Sequence, residues 1–198
     1  MKMDKMTQKN LLKQIKSRAA DLGYKVSSYA MFSKIGENFV SIDHGILNST
    51  ILDYSVTIKK YSYDDIFWDV INMADNKKAP VSLRAIGAFV APSITIFADQ
   101  IPLSNDIDSI VQTFFDTAII HVNDFLENNQ VNNFVFSTEG LPHGALLRCL
   151  AYLDQKDIAS AVEVAQKEIA AGDKDGGFEN EGKGFFEWVL YQYSDRDK

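Results

Sequence analysis

Apolar residues near the start of the chain recur every three or four positions, at Leu12, Ile15, Ala19 and Leu22. This spacing predicts an amphipathic helix over residues 5–22, with lysines on its other face. Gly23 follows directly, at the position where a helix commonly ends in a left-handed residue. The chain is therefore predicted to open with one well-delimited helix.

Three strand-like segments come next, over residues 24–35, 39–47 and 51–60. The third alternates most regularly, because polar residues on one face alternate with Leu52, Tyr54, Val56 and Ile58 on the other. Only a few turn-forming residues separate consecutive segments. Since connections this short join antiparallel neighbours, the pattern predicts an antiparallel meander.

The following elements are indicated by capping residues and by interruptions. Ser62-Tyr63-Asp64-Asp65 resembles a capping box that opens a helix reaching Ala74. Residues 81–90 and 93–98 are apolar. They are predicted to form one bent strand or two, since Gly87 and Pro92 interrupt the run.

The second half of the chain has helical periodicity. Acidic residues from Asp106 onward begin a long helix that runs to about Glu127, and the apolar run over 131–136 is of uncertain type. No strand is expected after residue 141. Further helices are predicted from Pro142 to Asp154, over 157–171 and over 185–193.

These elements predict an α+β fold. It consists of an antiparallel sheet of four to five strands with helices mainly on one face, plus a C-terminal helical hairpin and a final helix. Residues 1–138 are predicted to form an α+β domain. Residues 139–198 are predicted to form a helical C-terminal subdomain packed on it.

Composition favours a soluble protein of a reducing compartment. The chain is 46% hydrophobic and 24% charged, as ordinary globular proteins are. Cys149 is its one cysteine, so no internal disulfide can form and a cytoplasmic location is favoured. The N-terminus lacks the apolar segment of a secretory signal, and the apolar residues 85–98 are too few to cross a bilayer. We expect no membrane association.

Charge is distributed unevenly along the sequence. The net charge is −7, yet residues 1–35 carry eight basic and two acidic side chains. No lysine or arginine occurs between Arg84 and Arg148. This acidity argues against nucleic-acid binding, which needs cations against phosphate, and favours encounter with a basic protein. The alternative is that it serves solubility alone. The candidate partner contacts are Asp99, Asp106, Asp108, Asp116, Asp124 and Glu127.

Catalytic residues have weaker support in the sequence. His143 stands at a predicted helix start close to Glu139, and these two residues and His44 are the first suspects as general acid or base. The alternative is that His143 is an ordinary residue of a first helical turn. Cys149 falls on the apolar side of its helix, which predicts a buried structural thiol. The sequence contains neither a Gly-x-Ser-x-Gly elbow nor a phosphate-binding glycine loop.

The acidic loop over residues 173–181 invites comparison with a calcium-binding loop, because hard cations prefer clustered carboxylates. With Asp173 in the first position, Phe178 occupies the sixth, where an EF-hand needs glycine. The three histidines are not spaced as helix neighbours, and no thiolate pair exists. We therefore expect neither a metal site nor a cofactor.

The opening of the chain resembles that of uncharacterised bacterial α+β proteins, some of which lie in toxin–immunity loci. The likeness rests on the polar first helix, Leu22-Gly23-Tyr24, the meander that ends in Ile51–Ile58 and the helix at Ile66–Ala74. It ends before the helical tail that begins at Leu141. It implies an immunity-type binding function and brings no catalytic residues with it.

Three hypotheses about function follow. The first is a non-enzymatic protein-binding module of the immunity or inhibitor type, whose acidic surface binds a basic partner. The second is a small-ligand binder or hydrolase-like enzyme with a pocket between the sheet and the helical tail. The third is a scaffold that self-associates through the helical hairpin and the aromatic last helix. The sequence leaves the partner, the substrate and the oligomeric state open.

Overall fold

The computed structural model describes residues 2–27 and 29–194. Parts of the predicted first strand and of the C-terminal subdomain fall on Ser28 and on 195–198, outside the described residues. The chain divides into two compact units. Residues 1–58 and 93–129 form the first, here named the sheet unit, and residues 59–92 and 130–198 form the second, the helical unit. The predicted boundary at residue 138 falls inside the helical unit.

Five antiparallel strands in chain order form one sheet, as the predicted α+β fold requires. They are β1 (Lys25–Ser27), β2 (Ala30–Ile35), β3 (Asn38–Leu47), β4 (Ile51–Lys60) and β5 (Ile94–Pro102). In the β4–β5 pair Leu52 lies opposite Ile101, and the register shifts between Val56 and Thr57. The last residues of β4 belong to the helical unit, so the chain leaves the sheet unit from this strand.

The described residues form eight α-helices. They are α1 (Lys5–Asp21), α2 (Tyr61–Val70), α3 (Leu83–Ile86), α4 (Ile107–Asn128), α5 (Val131–Ser137), α6 (Gly144–Asp154), α7 (Ile158–Ala170) and α8 (Phe185–Tyr193). A 3-10 helix covers Ala74–Lys78. The helices predicted over 5–22, from Asp106 to about Glu127 and over 185–193 are confirmed, whereas the helix predicted to reach Ala74 ends at Val70. The run of uncertain type over 131–136 is helix α5.

Helix α1 shows how the local sequence fixes an element. The Asp4 carboxylate accepts hydrogen bonds from the N–H groups of Met6 and Thr7 at its start. At its end Gly23 has a φ of 81°, and the N–H groups of Gly23 and Tyr24 donate to carbonyls of the last turn. Glycine adopts this left-handed conformation without strain, so the helix ends where the sequence predicts.

The core of the sheet unit lies between one face of the sheet and two helices. The predicted alternation of β4 is confirmed, because its buried apolar side chains are Leu52, Tyr54, Val56 and Ile58. The ring of Phe114 on α4 packs edge-on against Tyr54, with 4.8 Å between ring centroids. Helix α1 contacts both β1 and α4, so both helices cover this face.

The prediction of a single strand over residues 24–35 is wrong. The chain reverses between β1 and β2, and Ser27 lies opposite Ala30. Since no glycine or asparagine occurs in the connection, the sequence carries no strong hairpin signal there. The sheet therefore gains a three-residue edge strand that the pattern did not resolve.

The prediction of a strand over residues 81–90 is also wrong, whereas the one over 93–98 is confirmed within β5. Residues 81–90 contain the short helix α3 and irregular backbone. Side-chain donors, and not a neighbouring strand, form the hydrogen bonds to the backbone carbonyls at the end of this segment. The indole N–H of Trp68 donates to Phe89 O, and the ammonium of Lys59 donates to Ala91 O.

Two further expectations are corrected in the helical unit. The capping box at Ser62 does not form, because α2 begins at Tyr61 without a side-chain cap and the Ser62 hydroxyl donates to Asp154. Two short strands, β6 (Glu179–Asn180) and β7 (Lys183–Gly184), pair after residue 141, where no strand was predicted. The αα-hairpin of α6 and α7 and the final helix α8 are confirmed.

Candidate functional site

The six acidic residues predicted to contact a partner all belong to the sheet unit and are all exposed. Asp99 lies on the edge strand β5, and Asp106 caps α4 by accepting a hydrogen bond from the Ser109 N–H group. The others lie on α4 itself. They are Asp108, Asp116, Asp124 and Glu127. We name these six residues the acidic surface.

Helical geometry places Asp116, Asp124 and Glu127 within about 80° of one another around the axis of α4, whereas Asp108 lies about 80° from Asp116 on the other side. Residues eight apart on a helix are offset by about 80° around its axis, and each residue rises by about 1.5 Å. Asp108 and Glu127 therefore lie about 28 Å apart along the axis. The Asp116 carboxylate accepts hydrogen bonds from Gln112, and the Asp124 carboxylate accepts one from Asn128. Because these amide donors are uncharged, they orient the two carboxylates and leave the negative charge of each uncompensated.

None of the six carboxylates forms an ion pair with any residue in the described part of the chain. In the same face of α4, the side chain of Ile120 is 63% exposed. Single exposed apolar residues are common on protein surfaces, but helical spacing places Ile120 between Asp116 and Asp124 around the axis of α4. The surface therefore combines charge with an apolar contact point.

The three suspected acid–base residues are divided between the units. His44 belongs to β3 in the sheet unit, whereas Glu139 and His143 belong to the helical unit. The side chain of His143 is exposed, and its backbone is in the left-handed region, with φ of 53°. Its Nδ1 atom lies 3.2 Å from Gly176 O. Its ring centroid lies 6.3 Å from that of Phe178, and it forms no ion pair with a carboxylate of residues 2–27 or 29–194. A catalytic role for these residues stays a prediction.

The sequence did not indicate the buried ionic cluster of the helical unit. Lys59 and Asp64 are almost fully buried, and the Lys59 ammonium lies 2.8 Å from the Asp64 carboxylate. Lys59 also donates to the carbonyls of Arg84 and Ala91, and Asp64 accepts from the Ala91 N–H group. Burial lowers the pKa of Lys59 and raises the pKa of Asp64, while their mutual attraction opposes both shifts.

Arg84 completes the cluster. Its guanidinium donates to Tyr61 O and to the Asp65 carboxylate, and lies 3.9 Å from the centre of the Tyr61 ring. One Asp64 oxygen lies 3.5 Å from this guanidinium. The ammonium of Lys59 meets three protein acceptors, whereas this Asp64 oxygen is buried without a hydrogen-bond partner among the described residues. The cluster holds the segment around α3 in place, which is a structural function.

A second polar network surrounds Asp154 at the end of α6. Its carboxylate accepts hydrogen bonds from Lys60, Ser62 and Asn132, at 2.6 to 2.9 Å. Asn132 in turn accepts one from the buried Tyr63 hydroxyl. Burial raises the pKa of Asp154, but the three donors outweigh it and the pKa lies below the ordinary value. A carboxylate this well supplied with donors anchors structure and is a poor general base.

The remaining chemical candidates are the Cys149 thiol and the acidic loop after α7. Cys149 is buried, as predicted, and burial raises its thiol pKa to about 12. Within residues 2–27 and 29–194, no three histidine, cysteine or acidic side chains are grouped closely enough to hold a metal ion. In the loop after α7, Asp173 accepts hydrogen bonds from the N–H groups of Asp175 and Gly176, so its carboxylate shapes the loop itself.

Comparisons with known proteins add no relative. No family model matches the chain, and neither a curated protein nor a solved structure matches it. Among the helices that the structure describes, none has both the length and the apolar character needed to cross a membrane.

Proposed function

We propose that the chain is a non-enzymatic protein-binding module of the immunity or inhibitor type, which binds a basic partner through the acidic surface. The observation that carries the proposal is the set of six exposed carboxylates that lack an ion pair among the described residues. A field of one sign attracts a partner of the opposite sign and speeds their encounter. Cytoplasmic location and bacterial origin belong to the same proposal.

Ile120 supports the proposal in a second way. Charge complementarity mainly sets the rate and specificity of association, whereas buried apolar groups at the centre of an interface supply much of its affinity. Ile120 is exposed on the same face of α4 as Asp116 and Glu127. In the proposed complex Ile120 contacts an apolar residue of the partner, and the acids surround it and pair with lysines and arginines.

The edge strand β5 extends the proposed surface. It ends the sheet order, and Ala98, Asp99 and Gln100 are exposed in succession. Consecutive exposure on a strand means that both of its faces are open at this end. Asp99 and the start of α4 therefore provide acidic groups beside an accessible strand edge.

The test uses the full chain as bait in lysate of the source organism, washed at low and at high salt. We expect one stoichiometric basic protein that salt releases. With that protein purified, Asp116→Lys/Glu127→Lys is expected to weaken binding at least tenfold, and Ile120→Ala to weaken it without changing its salt dependence. The matched control Glu163→Lys/Glu179→Lys makes the same charge change at exposed positions of the helical unit.

Unchanged affinity of Asp116→Lys/Glu127→Lys for that protein would exclude the acidic surface as the binding site. An equal loss with Glu163→Lys/Glu179→Lys would show that only net charge matters. Either result would leave the acidic residues with a role in solubility alone. Circular dichroism of each variant checks that the fold is retained.

Self-association is the alternative that a specific observation favours. Tyr191 on α8 is 69% exposed and lies edge-on to Trp188, so an aromatic group is available on the last helix. Exposed tyrosines are enriched at interfaces. A strictly monomeric mass in sedimentation equilibrium at high concentration would remove this alternative, and dissociation by Tyr191→Ser would support it.

A further inference from the structure

A cavity of about 490 Å³ lies within the sheet unit, between α1 and residues of β1 and β3. Its volume is typical of sites for small molecules. The residues that line it come from three stretches of the chain. They include Leu12, Lys13 and Lys16 on α1, Val26 on β1, and His44 and Ile46 on β3.

The pattern of the sequence explains why the cavity is there. Val40 and Ile42 are fully buried on the helix-covered face of β3, and alternation places His44 and Ile46 on the same face. These last two side chains are only partly buried, because the helices no longer cover the end of the strand completely. On α1, Leu12 is 40% exposed beside fully buried Leu11. The apolar part of the wall is therefore open to a ligand.

The polar part of the wall is cationic. Lys13 and Lys16 are three residues apart on α1, which places them on one side of the helix. Neither lysine forms an ion pair with a described residue, and none of the described carboxylates lines the cavity. Two uncompensated ammonium groups beside apolar surface favour a ligand that carries negative charge at one end.

His44 lies between the cavity and the core. Its ring centroid is 6.1 Å from that of Phe114, and its backbone N–H donates to Tyr29 O. Its Nδ1 is buried and has no hydrogen-bond partner among the described residues. A buried polar atom without a partner destabilises the fold, so packing alone does not account for a histidine here. Tyr29, at 56% exposure, adds an aromatic side chain to the wall.

We propose that this cavity binds a small molecule with an apolar body and a single carboxylate. Lys13 and Lys16 hold the carboxylate, and Leu12, Val26 and Ile46 contact the apolar body. Since the site is cationic and the acidic surface is anionic, the two proposals concern different residues and opposite ligand charges. Failure of either therefore leaves the other standing.

The experiment titrates the full chain with octanoate and records amide and histidine resonances by NMR. We expect saturable shifts at His44, Tyr29 and Lys13. Octanol and octylammonium have the same apolar body but lack the negative charge, so octanol is expected to bind at least tenfold more weakly and octylammonium not to saturate. His44→Gln identifies the histidine resonance.

The matched variants separate the site from general charge. Lys13→Ala/Lys16→Ala is expected to weaken octanoate binding at least tenfold, and Lys2→Ala/Lys167→Ala, at exposed positions outside the cavity, to leave it unchanged. All four lysines are exposed, so both variants should fold. The proposal is overturned by absence of a saturable shift at these residues, by equal binding of octanol, or by an equal loss in the control variant.

Discussion

The ammonium of Lys59 and the carboxylate of Asp64 are 2.8 Å apart in a place where both side chains are almost fully buried. Lys59 also donates to two carbonyls of the segment 84–91, and the Asp64 carboxylate accepts from that segment's Ala91 N–H group. One ion pair therefore replaces the strand pairing that the apolar sequence of residues 81–90 predicts. The stability of the helical unit should depend on it.

We predict that Lys59→Met destabilises the helical unit by about 3–5 kcal/mol, because it leaves a buried carboxylate without its main partner. Both tryptophans, Trp68 and Trp188, belong to this unit, so urea denaturation followed by tryptophan fluorescence measures it directly.

The control for this prediction is Lys78→Met, which removes the exposed pair with Asp75 and should leave the transition where it is. A double-mutant cycle with Asp64→Asn should give a coupling energy of about 0.5–3 kcal/mol. If Lys59→Met and Lys78→Met unfold with the same urea midpoint, the Lys59–Asp64 pair is not important for stability.

Lys59 also shows where sequence reasoning reaches its limit. Strict alternation along β4 places Lys59 with the polar residues, opposite to the buried face, and predicts solvent exposure. Its actual environment depends on Asp64, Arg84 and Ala91, which lie up to 32 residues away in the sequence. Periodicity reports only the neighbours within an element, so such a non-local cluster leaves no periodic signal.

Helices whose ends are fixed by neighbouring residues could be predicted from the sequence. Helix α1 has an aspartate cap and Gly23, and α7 ends at Ala170, two residues before the left-handed Gly172, so the ends of both helices follow from local chemistry. The apolar run over 81–90 was misassigned because burial and β-forming composition were its only signals, and irregular backbone can also be buried when side chains satisfy it. Helical periodicity accounts for the exposure of the acids on α4, whereas Asp99 lies on a strand and the cavity at His44 depends on the relative placement of α1 and β3.

A second prediction concerns pH. The Asp154 pKa is lower in the folded chain than its ordinary value of 3.8, so the folded state binds fewer protons. Its stabilisation is fully present above that ordinary value and is lost as the pH falls through the folded-state pKa. Asp154→Asn should destabilise the helical unit by about 1–2 kcal/mol near neutral pH. Measured by urea denaturation from pH 7 to 3, this difference should shrink below about pH 4.

Ser62→Ala provides the comparison for Asp154→Asn, because it keeps the carboxylate and removes one donor. Without this donor the folded-state pKa should lie closer to the ordinary value, so the pH-dependent loss of stability should be smaller and complete at a higher pH than in the wild type. If the difference between wild type and Asp154→Asn stays constant down to pH 3, hydrogen bonding does not lower the pKa of this carboxyl.

A third prediction concerns Cys149. Its thiol is buried and lies 3.5 Å from Ala161 O, and burial raises its pKa to about 12. The thiolate is the reactive form, so the native chain should react with a disulfide reagent such as DTNB only as fast as it unfolds. In concentrated guanidinium one thiol per chain should react at once. Ala159→Cys adds an exposed thiol on α7. In the native state of this variant we expect the added thiol to react immediately and Cys149 to stay unreacted.

The loop between α7 and α8 allows a steric prediction at Gly184. Its backbone is extended, with φ of −75°, so any residue could adopt the conformation. A Cβ atom there, however, would lie 2.6 Å from Asp175 Cα, and the neighbouring Phe186 N–H donates to Lys174 O. Because backbone cannot move aside as a side chain can, Gly184→Ala should destabilise the helical unit by about 1–3 kcal/mol.

The matched control for Gly184→Ala is Gly45→Ala on β3, where a Cβ atom meets nothing within 4 Å. Its free energy of unfolding should stay within about 0.5 kcal/mol of the wild type. Hydrogen exchange of the N–H groups of Phe185 and Phe186 gives a local measurement, since both donate to backbone of this loop. Faster exchange at these two amides in Gly184→Ala is the expected result. Wild-type exchange there, together with wild-type stability, would mean that the loop does not pack against Gly184 in solution.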